Sequence, residues 1–215
     1  MGRLLAIEGI DRTGKSTQLE RVATIARDRG LSVAVTAYPV RTGTATGPLI
    51  DRFLHGTLPL VADPVTDPIG QAFAGQVLFS LNRREAADAL RTLLREHDLV
   101  ITGRYALSAR AYAIASGVPV EAIARLHRDL EGELPVPDLA LVLDADPLLL
   151  ARRERPGAMD AFDADLDFQV RVRDAYTALA AAERHTRLVD ATGEPDAVTA
   201  RLVAALEAAG VIPTR

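Results

Sequence analysis

The chain contains no cysteine, no tryptophan and one lysine, and it carries four histidines in 215 residues. Without cysteine there can be no disulfide, no thiolate metal site and no cysteine nucleophile. The histidines (His55, His97, His127, His185) are scattered with no metal-ligand spacing and read as surface residues. No apolar run approaches the 18 residues that a membrane helix needs. There is no excess of positive charge either: the formal net charge is −4, which gives no global basic field for nucleic acid. Met1 leads almost directly into a strand-like run, with no basic region and secretory apolar segment before it. Apolar residues make up 48% and charged residues 25%, a globular rather than a disordered balance. These bounds give the expectation of a cytoplasmic protein with a single domain over 1–215, engaging neither nucleic acid nor membrane.

The basic residues are uneven in kind. Of 25 lysines and arginines, Lys15 is the only lysine. An ammonium differs from a guanidinium where a compact charge must fit a narrow site, so residues 9–16 stand out before any motif is sought.

Apolar patterning alternates between strand and helix. Strands are expected at Arg3–Ile7, Leu31–Tyr38, Asp98–Thr102, Leu139–Leu143 and Thr186–Val189. Helices are expected at Lys15–Arg29, Leu49–Leu54, Gly70–Glu96, Pro147–Arg155, Leu166–Arg184 and Pro195–Ala208. In the long Gly70–Glu96 helix the stripe is Phe73, Val77, Leu78 and Leu81, then Leu90, Leu93 and Leu94. Strand runs that are apolar throughout imply burial on both faces. The fold class is therefore α/β, a five-stranded parallel sheet with helices on both faces.

Gly9-Ile10-Asp11-Arg12-Thr13-Gly14-Lys15-Ser16 satisfies G-x-x-x-x-G-K-[ST] between an expected strand and an expected helix, the context the motif requires. Its glycines let backbone N–H groups converge on phosphate oxygens, and the helix N-terminus adds positive potential. Lys15 would reach the β- and γ-phosphates and the Ser16 hydroxyl would hold Mg2+. Arg12 could neutralise charge on the transferring group or stand in solvent. Asp11 would serve a sugar hydroxyl or a metal-bound water.

Three constellations bear on an acceptor. Tyr38-Pro39-Val40-Arg41 ends the second strand, where ligands of open sheets bind; Arg41 is either a phosphate grip or a surface arginine. Phe79 and Arg83 share a helix face and read either as a base reader or as a core ring beside a solvated cation. Arg104 follows the third strand, with Ser108 and Tyr112 one helical turn apart. All three could line a pocket.

Together these residues resemble the thymidylate (dTMP) kinase family from Leu5 to about Val198. The motifs are Ile7-Glu8-Gly9 running on to Gln18, Tyr38-Pro39-Val40-Arg41, Leu78-Phe79-Ser80-Leu81-Asn82-Arg83 and Arg104-Tyr105 with Ser108. Leu134-Pro135-Val136-Pro137-Asp138-Leu139, Phe168 to Tyr176 and Val189-Asp190-Ala191 complete the set. The resemblance implies a nucleoside monophosphate kinase fold and transfer of phosphate from ATP, with Mg2+, to dTMP. It implies that Phe79 stacks on thymine, Arg83 reads a ring oxygen, Arg41 and Arg104 bind the monophosphate, and Asp11 lies near the 3′-hydroxyl. Gly9 to Thr17 and Arg152 would hold ATP, Arg12, Lys15 and Arg104 would act in catalysis, and a homodimer is the family default. Arg12 matches the subgroup that carries its catalytic arginine in the phosphate loop. The lid, at about 152–165, agrees, because it reads Asp160-Ala161-Phe162-Asp163 where the other subgroup has an arginine.

Two departures leave alternatives open. The family's Asp-Arg-Tyr is here Gly103-Arg104-Tyr105, which would fit a nucleotide-binding pseudoenzyme unless Asp11, Glu8 or Asp163 compensates. Arg110 near the expected base contacts would fit a kinase for another or modified pyrimidine deoxynucleotide. A deoxynucleoside kinase shares the phosphate loop but would not need Arg41 and Arg104.

Overall fold

The computed structural model describes residues 1–151 and 165–214. Five strands, β1 (Arg3–Gly9), β2 (Val33–Ala37), β3 (Leu99–Gly103), β4 (Leu139–Asp144) and β5 (Thr186–Asp190), form one sheet in the order β2-β3-β1-β4-β5. Every pairing is parallel, with Ile7 opposite Gly103 on one side and Leu141 on the other. Consecutive strand residues point to opposite faces. Leu4, Leu5, Ala6 and Ile7 are all buried, so both faces of the sheet are covered. Helix α1 (Lys15–Asp28) packs with α9 (Pro195–Ala208), while α5 (Ala106–Ala115) packs with α8 (Leu166–Ala182). The expected fold class stands.

The topology sets where a ligand can sit. The connection after β1 runs toward β2 and the one after β4 runs toward β5, so a crevice opens at their carboxyl ends. The phosphate loop emerges into that crevice.

Two expectations need correction. The single helix over 70–96 is two, α3 (Pro68–Glu85) and α4 (Ala87–Glu96), parted at Ala86. The halves serve different cores. Leu90 and Leu94 of α4 belong to the main core under the sheet. In α3, Phe73 and Val77 join a second cluster with Ile123, and Leu78 and Phe79 join a third with Phe53. A straight rod could not reach all three. The buried face of α3 is also not the expected stripe: Leu81 is exposed whereas Gln76, Ser80, Asn82 and Arg83 are buried.

Between β3 and β4 the chain adds α5, α6 (Val120–Leu126) and a π-helical turn, His127–Glu131. Only the Ser108–Tyr112 turn of this region was legible. Helix α5 buries alanines at 109, 111, 113 and 115 on several sides, so it lacks a one-sided stripe. The expected helix at Pro147–Arg155 begins as α7 (Pro147–Leu150). Arg152 and the lid residues Asp160, Ala161, Phe162 and Asp163 lie outside the described residues.

Candidate active site

The phosphate loop takes backbone conformations that its residues dictate. Gly9 has φ +133°, and a Cβ there would lie 2.6 Å from the Leu143 carbonyl oxygen. Gly14, at φ +86°, opens α1 with no side chain capping it. The helix N-terminus is thus presented to whatever occupies the loop. Thr13 braces the loop from within, its buried hydroxyl donating to the Ile10 carbonyl at 2.9 Å. Lys15 Nζ donates to that same carbonyl at 2.6 Å and stands 3.9 Å from Asp11. Ser16 and Thr17 are exposed in the first turn of α1, beside this lysine.

Among the described residues two that are not glycine have positive φ, Arg12 at 66° and Arg104 at 61°. Left-handed backbone costs a non-glycine residue about 1 kcal/mol or more and gathers at functional sites. Both arginines were singled out from the sequence, and both reach into the crevice. Arg12 Nη1 donates to the Ala151 carbonyl at 3.3 Å, which aims it across the loop toward the end of α7. Arg104 ion-pairs with Asp11 through Nη2, donates to the Tyr112 hydroxyl at 3.3 Å, and lies 5.3 Å from that ring's centroid.

Asp11 is the hub of a network. Its Oδ2 accepts from the Tyr112 hydroxyl at 2.9 Å, and its backbone N–H donates to Gln169 Oε1 at 3.3 Å. Gln169 of α8 had been given no role. The available signal was a glutamine on the otherwise apolar face formed by Phe168, Val172, Ala175, Tyr176 and Leu179, all of them buried. Beneath this network Glu8 is fully buried, and Ser108 and the Tyr176 hydroxyl both donate to its Oε2. Burial pushes the Glu8 carboxyl above the usual carboxylate range, against those hydrogen bonds and the field of Arg104. The other Glu8 oxygen, Oε1, is buried with no hydrogen-bond partner among the described residues, beneath the strand end where Gly103 stands in place of a carboxylate. Ser108 is correspondingly tied to Glu8, although it also reaches the cavity wall.

That cavity, of about 370 Å³, lies between the loop and α3. Its size suits a small ligand. Its wall brings together Asp11, Tyr38, Pro39, Arg41, Phe79, Arg83, Arg104, Ser108 and Tyr112, the whole acceptor side expected from the sequence. Phe79 packs edge-on to Phe53, with ring centroids 6.1 Å apart. Arg41 is half-exposed and ion-paired with Asp51. Arg110 does not join this wall. It pairs with Glu183 and lines a separate surface pocket with His127, so its expected place near the base is corrected.

Two further residues support the wall: Asn82, which the sequence places in a motif without a role, and Glu131, which it does not single out. Asn82 clamps the segment after β2: its Oδ1 accepts from the Val40 N–H at 2.7 Å and its Nδ2 donates to the Val40 carbonyl at 2.8 Å. Glu131, on the π-helical turn, holds Arg83 through Nε at 3.0 Å and through Nη2. Both side chains of that pair are about 95% buried, at 4% and 6% exposure. A guanidinium so deep needs its partner, because removing one member strands a buried charge at a cost of roughly 3–5 kcal/mol. Glu131→Ala is therefore expected to lower stability by that amount. Thermal melting checks this; an unchanged melting temperature would contradict the pairing.

His127 sits against the same cluster, 3.6 Å from Glu131. Burial pushes it down to about 4, against the pull of Glu131 and with the push of Arg83 and Arg110. Its unfolded value is about 6.5, so the unfolded chain binds more protons between pH 6.5 and 4. Stability is fully present above about pH 6.5 and falls, by on the order of 3 kcal/mol, as pH drops toward 4. Urea titrations across that window should show the slope, and His127→Leu should flatten it.

A parallel sheet whose first strand feeds a phosphate loop, facing an arginine-lined cavity across Asp11 and Arg104, defines a P-loop phosphotransferase of the nucleoside monophosphate kinase type. The family profile for thymidylate kinase matches residues 7–202. Thymidylate kinases of Bifidobacterium longum (strain DJO10A) and Deinococcus radiodurans are 35% and 34% identical to this chain. The first covers 94% of it and 95% of the relative, the second 97% and 98%. The solved thymidylate kinase of Candida albicans superposes with a TM-score of 0.79 at 26% identity, covering 98% of this chain and 93% of that one. The chain belongs to the thymidylate kinase family.

Proposed function

We propose that the chain transfers the γ-phosphoryl group of ATP to the phosphate of dTMP, giving ADP and dTDP, and that it does so as one kinase domain. The observation that carries this is the cavity: an aromatic plate and a buried guanidinium at one end, and Arg104 with Asp11 at the other, beside the phosphate loop. Phe79 stacks on the pyrimidine and Arg83 donates to a ring oxygen. Arg104 and Arg41 bind the monophosphate, exchanging their carboxylate partners for phosphate oxygens. Asp11, held by Tyr112 and Gln169, accepts from the sugar hydroxyl. Gly9 to Thr17 wrap the donor phosphates, while Lys15 and Arg12 neutralise the transferring group. In-line transfer needs positioning and charge, and no covalent intermediate on the protein.

Mg2+ fits this donor set as an ion held mainly by nucleotide. Among the described residues no three His, Cys, Asp or Glu side chains could hold a metal, and an exposed hydroxyl at Ser16 stands at the loop. Magnesium commonly takes one or two protein oxygens and completes its shell with phosphates and water. Held by Ser16, the ion would supply charge neutralisation on the donor phosphates. Pairing into a homodimer follows the family default, and Arg152 in the lid segment would contact ATP. Among the described residues no helix is long and apolar enough to cross a membrane.

The test is dTDP and ADP formation from ATP–Mg2+ with dTMP, dUMP, modified pyrimidine monophosphates and thymidine. The highest kcat/KM is expected for dTMP, with no turnover of thymidine. Preference for a modified monophosphate would make the chain a specialised kinase, and turnover of thymidine would sink the phosphate-grip reading. Gly103→Asp belongs beside the wild type. A Cβ there meets only the Leu19 Cδ1 at 3.2 Å and the Ala37 Cβ at 3.7 Å, so the variant should fold with a small shift of Leu19. Turnover that starts only with this variant would make the natural chain a nucleotide binder.

A further inference from the structure

The acceptor cavity has a polar side chain that the kinase reading leaves unused. Gln76 on α3 lines the cavity wall, is 5% exposed, and its Oε1 is buried without a hydrogen-bond partner. Buried amides are nearly always paired, and a lone one is expected where a ligand completes it. We propose that Gln76 is a specificity-determining residue whose carboxamide pairs with the N3–H and O2 edge of the acceptor pyrimidine. This rests on reading the cavity as the acceptor site.

Helix geometry supports the assignment. Gln76, Phe79 and Arg83 are spaced i, i+3 and i+7, so they share one face of α3 with the aromatic ring between the two polar groups. At about 1.5 Å of rise per residue, Gln76 and Arg83 are separated by roughly 10 Å along the axis. A pyrimidine with its ring oxygens, plus a hydrogen bond of about 2.9 Å at each end, spans a similar length. A base stacked on Phe79 therefore reaches both.

Several other polar groups of the wall are committed. Arg83 spends Nε and Nη2 on Glu131 and Ser80, which leaves Nη1 for a ligand. Asn82 is used up on Val40, Thr44 and Thr46. Ser116 donates to the Tyr112 carbonyl at 2.9 Å. The Tyr105 hydroxyl also has no partner, and its ring packs edge-on to Tyr38 with centroids 5.1 Å apart; a lone hydroxyl cannot offer the paired donor and acceptor of an amide. One donor from Arg83 reads one oxygen. A carboxamide, with a donor and an acceptor side by side, complements N3–H and O2 together. The terminal torsion of glutamine is soft, so the amide can turn to present both ends.

The experiment compares Gln76→Met, which keeps side-chain length and loses both polar ends, with Gln76→Leu and Phe79→Ala. The expected result has two opposite signs. KM for dTMP rises about tenfold with kcat within twofold. The melting temperature without nucleotide rises by about 2–4 °C, because a buried amide oxygen without a partner is gone. The preference of the enzyme for dTMP over N3-methyl-dTMP should also shrink about tenfold in either Gln76 variant. If Phe79→Ala raises KM while both Gln76 variants leave it within twofold, the proposal is overturned and the cavity reading stands. A raised KM with an unchanged N3-methyl ratio overturns the base-edge contact as well. If Phe79→Ala leaves KM untouched, the cavity is not the acceptor site and the proposal falls with it.

Discussion

Replacing Arg12 by alanine is expected to lower kcat for dTDP formation about 10³-fold and to leave KM for dTMP within about threefold. The separation follows from where Arg12 stands. It belongs to the phosphate loop and reaches across it to the Ala151 carbonyl, whereas the acceptor wall is built from other residues. A guanidinium beside the transferring group is worth most when charge spreads over the equatorial oxygens, a state reached only in the transition state. Arg12→Gly sharpens the test. The φ of 66° costs an arginine and costs glycine nothing, so this variant should match the alanine variant in activity and melt at the same temperature or higher. Steady-state kinetics with calorimetry would check both. A fall in activity explained by KM alone would move Arg12 out of the reacting centre.

Arg104→Met is expected to lower kcat/KM for dTMP by about 10³-fold, mostly through KM. Two charge-assisted hydrogen bonds to phosphate are each worth about 1.5–3 kcal/mol, which together span this range. A second loss accompanies the first. Asp11 is held by Arg104 on one oxygen and Tyr112 on the other, so removing the guanidinium leaves its carboxylate under-compensated where the sugar should dock. Arg104→Lys keeps the charge without the fork and should recover only part of the loss. Kinetics with dTMP and with thymidine as an inhibitor separate the two losses: thymidine lacks the phosphate, so its binding reports on Asp11 alone. Equal weakening of both ligands would mean that Arg104 supports the pocket and does not grip phosphate.

How much of this was written locally in the chain varies by element. The run from Arg3 through the phosphate loop to α1 is legible because strand, glycine turn and helix start are all set by neighbours in sequence. The sheet was legible for a related reason: strands buried on both faces need no partner to reveal their pattern. Helix α3 was misread where it matters most. Its apolar residues suggested a stripe through Leu81, yet burial falls on Gln76, Ser80, Asn82 and Arg83 because the cavity and Glu131 face them. Glu131 lies 48 positions from Arg83, and no local pattern links them. Gln169 looks like an ordinary polar position until the fold brings Asp11 to it, and the Glu8 partners Ser108 and Tyr176 lie 100 and 168 positions away. Those that could be singled out, Phe79, Arg41, Arg104 and Tyr112, stood at strand ends or on one helix face, positions that geometry predicts from spacing.

The central claim is that the loop and the cavity work as donor and acceptor halves of one site. The direct test is a single turnover of γ-labelled ATP with excess enzyme, Mg2+ and dTMP, followed by rapid quenching. The label should move to dTDP at the rate at which ADP forms, with little released as inorganic phosphate. Label that passes to water, or stays in ATP while dTMP is bound, would contradict the account.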